Sequence, residues 1–92
     1  MTTTEPALAA LRRAFDDVDA QLLVLLAERQ RLARAAGEVK RAAGLPIVDE
    51  HREAAAAAAR RVRAASLGLD GAFVDDVFAL VVGASRRAQG AR

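Results

Sequence analysis

Arg29 stands where a helix normally buries a leucine. Apolar residues recur at Leu8, Leu11, Phe15, Val18, Leu22 and Leu25 in steps of three and four, and the seam resumes at Leu32, Ala36 and Val39. A guanidinium at position 29 interrupts that ladder. Lys40 follows about three turns further along, so both long cationic side chains leave one face roughly 16 Å apart and can converge on a small molecule. Near the other end of the chain Phe78, Val81, Ser85 and Gln89 share a helical stripe, with Ser85 and Gln89 replacing expected apolar residues. Asp49, Arg52 and Glu53 gather around a helix start, which is itself a partial positive charge. Each residue alone has an ordinary reading. Arg29 can snorkel or pair with an acid, Lys40 can be a C-terminal helix cation, and Asp49 a cap. Arg52 and Glu53 can be surface charges, Ser85 a small filler of a helix contact, and Gln89 part of a frayed end. Together they predict a buried polar pocket, rich in cationic donors, that suits a small polyanionic ligand.

The elements that must position these groups are all helical. The first helix spans about 6–43, with Pro6 suited to its opening turn and Gly44-Leu45-Pro46 ending it. Asp49 opens a second helix of about 49–65 that carries a six-alanine run, and Asp70 caps a third of about 71–89 that stops at Gly90. No stretch alternates with the period of a strand. The fold class is therefore all-α, a single domain over 1–92 with one long and two shorter helices. A helix the length of the first is a rod of roughly 57 Å at the rise of an α-helix. A compact monomer of this size has a radius of gyration of about 12 Å, so half the rod would protrude with its apolar seam uncovered. A second copy can cover it. The alternative is a break near Ala35-Ala36-Gly37 that folds the chain into a monomeric four-helix bundle.

Composition narrows the chemistry. The chain has 92 residues with 14 basic and 12 acidic side chains, a net charge of +2, no cysteine and one histidine. A disulfide framework, a thiol nucleophile and a cysteine- or histidine-built metal site are not expected. The opening MTTTEPALAALRR lacks the pattern of a secretion signal, and no apolar run approaches a membrane span, so a cytoplasmic protein without membrane contact is expected. The sequence isoelectric point near 10.4 raises nucleic acid as a partner. The basic residues are interspersed with acids and lack an aromatic stacking platform, so no nucleic-acid partner is expected.

Three stretches carry a resemblance: LRRAFDDVDAQLLVLLAERQRLARAAGEVKRA, PIVDEHRE and ALVVGASRRAQ. In order and spacing the chain resembles the all-helical (AroQ-class, type II) chorismate mutases over essentially its whole length. The resemblance implies an intertwined homodimer of three-helix chains that converts chorismate to prephenate without a cofactor. By match of position it implies Lys40 and Gln89 as catalytic residues, and Arg12, Arg29, Asp49, Arg52, Glu53 and Ser85 as substrate-binding ones. Chorismate is a dianion and its Claisen rearrangement needs neither proton transfer nor a nucleophile. The implied tasks are positioning and electrostatic stabilisation of the breaking ether bond. Arg12 and Arg29 are expected on the carboxylates, and Lys40 and Gln89 on the ether oxygen. Glu53 and the Asp49 backbone are expected on the ring hydroxyl, with Arg52 and Ser85 supporting a carboxylate. Arg12 lies about 25 Å before Arg29 along one rod, so Arg12 is expected to serve the site of the other subunit. Same-fold alternatives are a mutase of 4-amino-4-deoxychorismate and a lyase releasing pyruvate from isochorismate; the alternative outside catalysis is a helical dimerisation module. A free-standing catalyst, without attached regulatory domains, is expected.

Overall fold

Three helices account for most of the computed structural model, which describes residues 3–90; positions 1, 2, 91 and 92 of the expected 1–92 domain lie outside the described residues. The first helix, α1 (Thr4–Ala43), is unbroken, so Ala35-Ala36-Gly37 is no hinge. It begins two residues before the expected start at Pro6, because proline needs no N–H in the first turn. Thr3 precedes it without a side-chain capping bond. It ends at Gly44, whose φ of 69° is left-handed and best tolerated by glycine. The Gly44 and Leu45 N–H groups close on the carbonyls of Arg41 and Lys40 at 3.2 and 2.8 Å.

The second helix, α2 (Glu50–Ser66), starts at Asp49, whose carboxylate accepts the Arg52 N–H at 3.0 Å. Asp49 is thus a cap rather than a helical residue, and α2 runs one residue later than expected at each end. The third helix, α3 (Gly71–Gln89), is capped by Asp70, which accepts the Phe73 N–H at 3.4 Å, and it closes at Gly90.

Helix α3 is the middle element. It packs on the C-terminal part of α1 and on α2, whereas α1 and α2 do not approach one another among the described residues. The gap between them, floored by α3, is the main cavity. Gly37 sets how closely α3 approaches α1. A Cβ at position 37 would lie 2.7 Å from the Gln89 carbonyl oxygen and 2.8 Å from the Gln89 Cα, so a residue with any side chain would push the end of α3 away.

The first half of α1 projects beyond this three-helix body. The molecule measures 65 × 24 × 19 Å with a radius of gyration of 17.8 Å, against about 12 Å for a compact chain of this length. The seam residues Leu8, Leu11, Phe15, Val18, Leu22 and Leu25 are all exposed, and among the described residues the buried apolar side chains are only Ala33, Ala64 and Val74. One chain by itself therefore buries almost no core.

Candidate active site

The cavity between α1 and α2 has a volume of about 850 Å³. Ala56 and Ala57 face it from α2 and keep it roomy. Seven of the eight expected site residues line it: Arg29, Lys40, Asp49, Arg52, Glu53, Ser85 and Gln89. Arg12 does not; it sits on the projecting half of α1, exposed to solvent. The lining carries six cationic side chains against three carboxylates. That excess matches a small anion with more than one negative group.

Arg29 leaves the apolar ladder to meet α3. Its guanidinium donates to the Ser85 hydroxyl, which is buried, and lies over the Phe78 ring at 5.8 Å from the centroid. Burial, and then the nearby charge of Arg60, hold its pKa below the ordinary arginine value. An arginine so placed remains charged at neutral pH, and its remaining N–H groups form a fork suited to a carboxylate. Ser85 accepts from Arg29, so its own hydroxyl hydrogen is left for a ligand.

Lys40 and Gln89 form the second cluster. The Lys40 ammonium donates to the Ile47 carbonyl at 2.6 Å and to the Gln89 Oε1 at 2.5 Å. Two of its three hydrogens are used, and the third is free for a ligand. Accepting from Lys40 fixes the Gln89 amide so that its Nε2, a pure donor, is the group left for the cavity. Gly37 lets the end of α3 come close enough for this contact. Arg41 adds a bond to the Gln89 carbonyl at 3.0 Å.

Glu53 is held by a partner that periodicity did not single out. Arg86 binds its carboxylate through two parallel contacts, Nε to Oε1 at 3.0 Å and the second guanidinium arm to Oε2. The Arg86 hydrogen bonds, followed by the charges of Arg86, Lys40 and Arg60, outweigh desolvation and hold the Glu53 carboxyl below the usual carboxylate range. Asp49 and Arg52 both line the cavity mouth with exposed side chains, and the Asp49 carboxylate is occupied by capping.

Sequence reasoning missed Arg60 as well. Its guanidinium lies over the same ring as that of Arg29, 4.4 Å from the Phe78 centroid, and it forms no ion pair among the described residues. The neighbouring Arg61 is tied to Asp75 on α3. A signal for both arginines was present. Glu53, Ala56 or Ala57, and Arg60 share a helical face, and Phe78, Val82 and Arg86 recur every four residues. On the α3 stripe Phe78, Ser85 and Gln89 line the cavity together with Val82, while Val81 is half-buried beside it.

The chain is thus an all-helical fold with a cavity whose lining carries an excess of cationic groups. Residues 11–90 match the chorismate mutase type II family, and the chain belongs to that family. It is 45% identical over 75 residues to the T-protein of Enterobacter agglomerans, covering 82% of this chain and 20% of that protein. It is 39% identical over 71 residues to the T-protein of Haemophilus influenzae, covering 77% of this chain and 19% of that protein. The chorismate mutase of Methanocaldococcus jannaschii is 44% identical over 46 residues, half of this chain and 46% of that protein. The chain thus spans about a fifth of the length of the T-proteins it matches. No solved structure gives a significant match. No helix among the described residues is long and apolar enough to cross a membrane.

Proposed function

We propose that the chain is a chorismate mutase, an isomerase of aromatic amino acid biosynthesis that rearranges chorismate to prephenate in the cytoplasm. The observation that carries this reading is the Lys40–Gln89 pair. An ammonium and an amide, locked together at 2.5 Å, leave an ammonium N–H and the amide NH2 for an acceptor in a cavity lined by excess positive charge. In the rearrangement the ether C–O bond breaks as a C–C bond forms, and negative charge grows on the ether oxygen. Fixed donors aimed at that oxygen bind the transition state better than the substrate. Arg29, oriented by Ser85 and Phe78, takes one carboxylate and holds the compact conformer in which the reacting carbons meet. Arg52 and the Ser85 hydroxyl support a carboxylate. Glu53 and the Asp49 backbone take the ring hydroxyl.

The same reading makes the enzyme an intertwined homodimer. The chain exposes 7263 Å², whereas a compact chain of its mass exposes about 5,100 Å². Covering the excess on two copies would bury an area of the size found in obligate dimers, roughly 2,000–5,000 Å². Arg12 is about 25 Å from Arg29 along α1, so it would complete the site of the second copy, on the other carboxylate. The test is incubation with chorismate, 4-amino-4-deoxychorismate and isochorismate separately, with product identification. Prephenate from chorismate is the expected result; silence on all three would leave a helical dimerisation module.

A further inference from the structure

Arg86 is an unusual neighbour for a carboxylate that must recognise a substrate. It approaches Glu53 side-on, so each carboxylate oxygen already accepts one charged hydrogen bond. One lone pair on each oxygen remains. The remaining oxygen sites can still accept from a neutral O–H group, but the charge of the carboxylate is already matched. Lys40 from α1 and Arg60 from its own helix, both cationic, also act on Glu53, while Glu50 acts on Arg86. A ligand group placed against Glu53 therefore meets an acceptor in surroundings that are net positive.

We propose that Arg86 is a specificity residue: by pairing with Glu53 across α2 and α3 it makes this corner of the cavity select a neutral hydroxyl and reject an ammonium at the same ring position. The inference rests on the reading above, in which Glu53 faces the ring hydroxyl of chorismate. It singles out the hydroxyl substrate over its 4-amino analogue, whose amine is protonated at neutral pH. Arg86 acts through Glu53 and is a positioning residue. Without it Glu53 would lose its direct ion pair, and its carboxylate oxygens would be open to a cation.

The experiment compares kcat/KM for chorismate and for 4-amino-4-deoxychorismate in the wild type, Arg86→Met and Arg86→Lys. The wild type should prefer chorismate. Arg86→Met should lower that preference by about tenfold or more, since a charge contact ranges from about 1 kcal/mol in water to about 4 kcal/mol near a protein surface. Arg86→Lys should keep it. Raising the pH through the titration of the substrate amine gives a second readout that needs no variant: the wild-type preference should shrink as the amine becomes neutral. A preference that is unchanged in a folded Arg86→Met protein would overturn the proposal and leave Arg86 a mere tie between helices. A wild-type preference that does not move with pH would also overturn it. A wild type inactive on both compounds would instead overturn the underlying reading, and this proposal with it.

Discussion

Gly37→Ala perturbs the site without removing any chemical group. The new Cβ would lie 2.7 Å from the Gln89 carbonyl oxygen and 2.8 Å from its Cα, whereas such atoms rest about 3.3–3.6 Å apart. Both contacts are with backbone, so no side chain can rotate away. The end of α3 must move by about 0.7 Å. That shift stretches the Lys40–Gln89 contact from its present 2.5 Å and weakens the bond from Arg41 to the Gln89 carbonyl. Overpacking costs about 1–3 kcal/mol, and replacing a mid-helix glycine by alanine returns about 1 kcal/mol. The net cost of about 0–2 kcal/mol should therefore lower the melting temperature by no more than about 16 °C. Activity should fall further, because a misplacement near 1 Å costs up to ~10²-fold in rate. The assay is kcat on chorismate beside a thermal melt. An unchanged kcat in the folded variant would refute the claim that Gly37 sets the geometry of the donor pair.

Lys40→Ala should lower kcat by ~10²–10³-fold with a smaller effect on KM, since the ether oxygen carries little charge before the bond breaks; a raised KM at constant kcat would contradict this role. Gln89→Glu places a carboxyl beside Lys40, which holds its pKa low, so the group donates only when protonated. Its activity should be absent at neutral pH and recover only as pH falls, and a wild-type pH profile would show that residue 89 does not reach the reacting oxygen. Arg60→Met should raise KM about tenfold, the worth of one charge-assisted hydrogen bond, while kcat stays near wild type. An unchanged KM would make Arg60 a packing partner of Phe78 alone.

Local signals in the chain were the easiest to read. The stop at Gly44-Leu45-Pro46 and the caps at Asp49 and Asp70 depend on neighbours within one turn, and each stands as a helix boundary. The seam from Leu8 to Leu25 was also legible, because a straight rod of that length cannot fold back on itself. Pairings across helices were not. Arg86 and Arg60 carry no signal of a partner until α2 and α3 are placed side by side, when one meets Glu53 and the other Phe78. Val81 and Val82 differ by about 100° around α3, and both continue an apolar stripe from Phe78, so periodicity alone cannot choose between them. Gly37 read as a weak point of α1, since glycine is a poor helix former. Its purpose, the close approach of Gln89, exists only in the tertiary structure.

Subunit complementation tests the central claim, that a site built on one chain is completed by Arg12 of a second copy. Arg12→Ala and Arg29→Ala should each be nearly inactive on chorismate as homodimers. Refolded together in equal amounts, they should form mixed dimers in which one site carries both substitutions and the other carries neither. About half the dimers should be mixed, so about a quarter of wild-type activity should return. A mixture as inactive as its parents, with mixed dimers shown by native mass spectrometry, would contradict the shared site.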